Sequence, residues 1–135
     1  MTHETNRILD EFNKNPGAST FCIQECEENL GRKLPAEYVE FLKTIEGGEG
    51  FIGNSYLILW RVDEIAPLNR SYEVEKDAPG FLAFGSDGGG EAYGFDMRDE
   101  ACRIVQIPFI GMSWNEAQPM GESFSAFLEQ LFEAE

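Results

Sequence analysis

The sequence predicts an α+β fold: a single domain with a mostly antiparallel sheet and helices packed on it. Three observations carry this. Residues 19–45 hold apolar side chains at helical spacing, the middle of the chain holds short apolar or alternating runs, and a second helical stripe closes it. The order of helices, then mostly strands, then a helix points to an antiparallel meander. A length of 135 residues favours one domain with one core.

The elements follow in order. Residues 1–17 are polar apart from Ile8, Leu9 and Phe12, whose spacing allows a short helix, broken at Asn15-Pro16-Gly17. This segment reads as an N-terminal extension, with the domain proper at 18–135. Ser19 can cap a second helix with Cys22, Ile23, Cys26 and Leu30 on one face, closed by Gly31. Leu34-Pro35 opens a third, because proline is tolerated in a first turn whose N–H groups are unpaired anyway. Tyr38, Phe41, Leu42 and Ile45 form its apolar stripe, and Gly47-Gly48 is expected to end it.

Tyr56–Arg61 (YLILWR) reads as a buried strand ending in a core tryptophan, Trp60. Val62–Asn69 reads as a short helix with Ile65 and Leu68 facing inward. Ser71–Pro79 is acidic and loop-like. Phe81–Phe84, Ala92–Phe95 and Arg103–Ile107 are three further strands, the last stopped by Pro108. Phe109–Gly121 is expected to be irregular. Phe124, Phe127, Leu128, Leu131 and Phe132 form the closing stripe, with Ser123 or Gly121 as cap.

Composition narrows the function. The chain is 42% hydrophobic and 13% aromatic, enough to fill a core, so disorder is not expected. Against 10 bases stand 25 acids, a formal net charge of −15. Such a surface repels nucleic-acid phosphates and anionic membranes and attracts a basic protein. No segment resembles a signal peptide or a membrane span. Three cysteines are too few for a disulfide framework, so a reduced, cytoplasmic setting is expected.

The most unusual run is GSDGGGEAYGFD, residues 85–96, with five of the 14 glycines. A phosphate loop would need lysine and a hydroxyl after Gly90, but Glu91 and Ala92 stand there. The dinucleotide fingerprint fails at Tyr93, and a calcium loop lacks oxygen ligands across the three glycines. The run reads as a tight connection between strands, with Asp87-Gly88 favouring the turn and Asp87 and Glu91 projecting from it. Gly94 suggests a bulge or a close backbone approach.

Other sites are weaker. Cys22 and Cys26 lack companions for a zinc site and read as buried, small apolar residues. His3 is the only histidine, which weakens any Ser-His or Cys-His catalytic reading. Acidic pairs abound, but among 25 acids chance proximity is expected. No cofactor or metal and no catalytic residue is assigned. Trp114, among polar residues, supports two readings: an interface anchor or a plug of the core from a loop.

LGRKLPAEYVEFLKTIEGGEG, residues 30–50, resembles the signature of the SUKH superfamily, which includes the yeast Smi/Knr cell-wall-assembly regulators. Leu34-Pro35, Tyr38, Phe41-Leu42 and Gly47-Gly48 carry the resemblance. So do Trp60 with Asp63-Glu64-Ile65, then Phe84-Gly85, Asp87–Gly90, Tyr93 and Phe95-Asp96, and finally Ser123-Phe124 and Phe127-Leu128. It covers about Ser19 to Leu131.

The resemblance implies an α+β fold with helices on a mostly antiparallel sheet, no shared catalytic residues, and a protein-binding role. Bacterial members resemble immunity proteins that neutralise polymorphic toxins, often nucleases; eukaryotic members act as regulators or scaffolds. The expected function is a non-enzymatic module whose acidic face blocks a basic toxin domain. Glu46, Glu49, Asp87, Glu91, Trp114 and Glu116 are the expected partner-binding residues, chosen as acids and an aromatic at helix ends and loops. The alternatives are an intracellular regulatory scaffold, and a small-ligand or carboxylate-enzyme function in a cleft over the sheet.

Overall fold

Seven strands pair in chain order, each antiparallel to the next, in a computed structural model that describes residues 3–134. They are β1 (Phe12–Pro16), β2 (Ile45–Ile52), β3 (Ser55–Leu59), β4 (Phe81–Ser86), β5 (Glu91–Asp96), β6 (Ile104–Pro108) and β7 (Gln118–Gly121). The helices are α1 (His3–Ile8), α2 (Thr20–Leu30), α3 (Ala36–Thr44), α4 (Val62–Ser71), α5 (Val74–Asp77) and α6 (Phe124–Glu133), with a one-turn 3-10 helix at Trp114–Glu116. The α+β meander expected from the sequence is the fold observed.

Local signals set most boundaries. The Ser19 hydroxyl accepts the Cys22 N–H at 3.1 Å, and Gly31 closes α2 with a left-handed φ of 75°. The Ser123 hydroxyl likewise caps α6 through the Ala126 N–H. Glu37 of α3 adds a second cap from the neighbouring helix, accepting the Phe124 N–H at 2.7 Å and the Ser125 hydroxyl.

Four expectations about the elements are overturned. Phe12 begins a strand rather than a helical turn, and β1 forms one edge of the sheet. Its FNKNP sequence has no alternation to announce it; pairing with β2 makes it a strand. Gly47-Gly48 does not end α3, which stops at Thr44; both glycines lie inside β2. The irregular stretch contains the 3-10 helix and β7. Pro119 and Gly121 hide that strand in the sequence, but proline is tolerated on a sheet edge. Ser71–Pro79, read as loop, contains α5.

The inner face of the sheet holds the main core. Tyr38 of α3 meets Phe84, Phe95 and Phe124 at ring-centroid distances of 5.3, 5.3 and 5.0 Å, and Phe127 packs on Phe84 and Tyr93. Each such pair adds about 0.5–1.5 kcal/mol beyond area burial. All of these rings are buried, so the residues that carried the family resemblance are mostly core. Along α2 the buried line runs Ile23–Cys26. Cys22, one residue earlier and so about 100° round the helix, is exposed rather than buried.

Candidate functional site

The β2–β3 hairpin presents an open outer face. Its two-residue turn, Gly53-Asn54, sets the register Ile52↔Ser55, Phe51↔Tyr56, Gly50↔Leu57 and Glu49↔Ile58. Alternation then sends Ile52, Leu57 and Leu59 into the core and leaves Glu49, Phe51, Tyr56 and Ile58 on the other side. Phe51 is 52% exposed, with its ring edge-on to Tyr56 at 5.2 Å. The Tyr56 hydroxyl donates to Glu49 Oε2 at 2.5 Å, which raises the phenol's pKa.

The glycine run turns a corner beside this face. The Asp87 N–H donates to the Glu91 carbonyl, while Asp87 Oδ1 accepts the N–H groups of Gly89 (2.7 Å) and Glu91 (3.0 Å). Asp87 is therefore folded onto its own turn, half-buried, rather than projecting. Gly88 lies against the outer face: a Cβ there would sit 3.3 Å from the Tyr56 ring and 3.5 Å from Ile58 Cδ1. Gly94 marks a close approach, since a Cβ would strike the Leu82 carbonyl and the Phe81 ring. The bulge lies in the partner strand, between Ala83 and Gly85.

The six expected residues do not form one patch. Glu46 and Glu49 lie within β2, not at a helix end. Glu46 accepts the Val62 N–H at 3.0 Å and so caps α4. Glu49 stands on the open face, with Asp87 in the adjoining turn. Glu91 leads into β5, where its carboxylate accepts from Gln106 Nε2 at 3.1 Å. Burial, with the charges of Asp87 and Glu91, pushes the Tyr93 phenol up to about 12. Trp114 and Glu116 sit at the opposite end of the β4–β5 hairpin. The Trp114 ring is half-buried edge-on to Phe81, and its N–H donates to the Pro79 carbonyl at 2.7 Å. Arg98 lies over the indole, 3.5 Å from its centroid, and Asp96 holds the guanidinium through two bonds of 2.9 and 3.0 Å. The indole therefore packs edge-on against the core at Phe81 and is overlain by Arg98.

Sequence reasoning missed Phe51, Tyr56 and Ile58 as surface residues. The signal was the two-residue Gly-Asn turn between alternating runs, FI-GN-SY, a hairpin pattern. It was obscured by reading the preceding glycines as a helix stop.

Among the described residues, no group of three His, Cys, Asp or Glu side chains stands where it could hold a metal ion. Cys26 is buried, and burial pushes its thiol up to about 11. The reading of His3 concerns a side chain outside the described residues. A small cavity of about 250 Å³ between α3 and α6 is lined by Glu37, Glu40, Phe41, Phe124 and Ser125; its Glu37 is committed to capping α6. Among the described residues, no helix is long and apolar enough to cross a membrane.

No curated protein matches the chain. The model of the SMI1 / KNR4 family (SUKH-1) matches residues 17–130, from just after β1 to the second turn of α6, and the chain belongs to that family.

Proposed function

We propose that this chain is a non-enzymatic protein-binding module: an immunity protein that neutralises a basic toxin domain, of the nuclease kind, by steric and electrostatic blockade. The observation that carries the reading is the open outer face of the β2–β3 hairpin. The Phe51 ring lies exposed there against the half-buried Tyr56, beside acids, on a chain of net charge −15. Exposed aromatics dominate protein interfaces, and complementary charge speeds association. The same charge repels nucleic acid, so the module would cover a nuclease's basic groove without competing for the substrate itself. Membership of the SMI1 / KNR4 family (SUKH-1) supports a binding role. Among the six expected residues, Glu49 and Asp87 stand nearest this face, and the interface we propose centres on them; Glu91, Glu46, Trp114 and Glu116 would act at its margins or elsewhere.

The test is co-expression with toxin-like nuclease domains encoded beside its gene. Growth should be restored, and the purified pair should form a stoichiometric complex that weakens at least about tenfold between about 50 and about 500 mM salt. No rescue with any such domain, or a complex indifferent to salt, would sink the reading.

A further inference from the structure

We infer that the corner formed by Phe51, Tyr56 and Glu49 seats an arginine side chain of a protein partner. The fold supplies its own template twice. Arg98 lies over Trp114 at 3.5 Å while Asp96 holds its guanidinium. Arg7 lies over Phe132 at 4.9 Å while Glu4 holds it at 2.7 Å. Each pair combines an aromatic face, which attracts a cation through its quadrupole, with a carboxylate that fixes it.

The third pairing of ring and carboxylate is on the outer face of β2–β3. Phe51 and Tyr56 meet at 81°, forming a corner, and Glu49 reaches the rim of the Tyr56 ring. Register puts Asn13, Glu49, Phe51, Tyr56 and Ile58 on this face of the first three strands, and none of the five is a base. The Tyr56 hydroxyl uses one lone-pair site of the Glu49 carboxylate. The others can accept a guanidinium, which binds carboxylates in a planar fork. Charge complementarity thus names the occupant: a cation supplied by another molecule. Arginine fits better than lysine, because its flat guanidinium stacks on a ring while its N–H groups meet the acid.

This inference rests on the protein-binding reading for the source of the arginine, but its test does not. A capped Gly-Arg-Gly peptide is titrated into the isotope-labelled full chain, with the citrulline peptide as its neutral isostere. Saturable amide shifts should centre on Glu49, Phe51, Tyr56 and Ile58, and citrulline should give none. F51L keeps apolar bulk but removes the ring, and E49Q keeps an acceptor for Tyr56 but removes the charge. Each should weaken the arginine peptide about threefold, and the double variant about tenfold. Shifts scattered over the acidic surface, equal binding of citrulline, or variants that bind like the parent chain would overturn the inference.

The co-expression assay separates the two readings. If the parent chain neutralises a toxin and F51L/E49Q does so with equal affinity, this seat is not the toxin's docking point and the immunity function stands. If no toxin is neutralised, the function fails, and the peptide titration still decides the seat.

Discussion

Asn69 of α4 pairs its side-chain amide with both backbone groups of Ala83 in β4. Nδ2 donates to the Ala83 carbonyl at 2.9 Å, and Oδ1 accepts the Ala83 N–H at 3.0 Å. The cause lies in the sheet. β3 pairs with β4 only at Ile58↔Ser86 and Leu59↔Gly85, and beyond Trp60 the chain leaves to form α4. Half of the β4 edge would lack a neighbour, and one carboxamide acts as the missing peptide. Replacing Asn69 by leucine should cost about 2–3 kcal/mol, because a buried backbone pair loses both partners. Asn69→Asp keeps an acceptor and loses the donor, so it should fall between. Denaturant unfolding measures both; an N69L chain as stable as the parent would refute the surrogate role.

Gly48 lets β1 lie close against β2. Its φ is 140°, and a Cβ would strike the Asn13 carbonyl and come within 2.9 Å of the Phe12 ring. Backbone cannot yield as a flexible side chain can. Gly48→Ala should therefore destabilise by about 2 kcal/mol or more, and β1 should detach first. Hydrogen exchange would show it as lost protection in 12–16 with β4 and β5 intact. Unchanged protection there would contradict the close-approach account.

Asp87 separates a turn role from a charge role. Its Oδ1 holds the N–H groups of Gly89 and Glu91, and an amide oxygen can do the same. Asp87→Asn should stay within about 0.5 kcal/mol of the parent, while Asp87→Ala should lose about 1 kcal/mol. If the proposed interface includes Asp87, the Asn variant should still slow association with a basic partner by lowering the steering charge. Equal stability losses in the two variants would argue against the turn role.

These residues show what was legible in the sequence. The α3 and α6 stripes, the caps at Ser19 and Ser123 and the strands β3 to β6 could all be read, because each is specified by neighbours within a few residues. The edge strands could not. FNKNP and QPMG carry no strand pattern, and only pairing with β2 and β6 makes them strands. Gly47 and Gly48 misled for the same reason: their requirement comes from chain segments, 12–13 and 59–61, that lie distant in sequence. For the candidate site, chemistry was legible and placement was not. Acids at turns were visible, but a cap at Glu46 depends on where α4 starts, and the open face depends on the register of a hairpin.

Tyr38 tests the core. Its hydroxyl is buried with no hydrogen-bond partner among the described residues, and burial drives its pKa far above the usual phenol value. The ring is at the centre of the aromatic cluster, but the oxygen bears a desolvation cost that no described residue offsets. Tyr38→Phe keeps every ring contact and should leave stability equal or raise it by about 1 kcal/mol. Tyr38→Ala should cost about 3–5 kcal/mol through the cavity. A Phe variant less stable than the parent by more than about 1 kcal/mol would show that the hydroxyl is satisfied in solution.

Asp96 gives the acid limb of the stability curve a specific contributor. Hydrogen bonds from the Arg98 side chain hold its carboxyl below the ordinary value of 3.8, against a smaller opposing effect of burial. Because the folded-state pKa is depressed, the contribution is fully present above the unfolded value and disappears as pH falls through the folded one. Arg98 is half in solvent, so screening limits the size, but its two-pronged geometry keeps it near the top of the range for exposed pairs. Asp96→Asn should therefore lose about 1 kcal/mol at pH 7. The gap between variant and parent should begin to close below about pH 4 and vanish in stronger acid. Urea titrations of both chains from neutral pH downward would show the two curves converging; a gap constant down to pH 2 would mean that Asp96 acts through shape and not through charge.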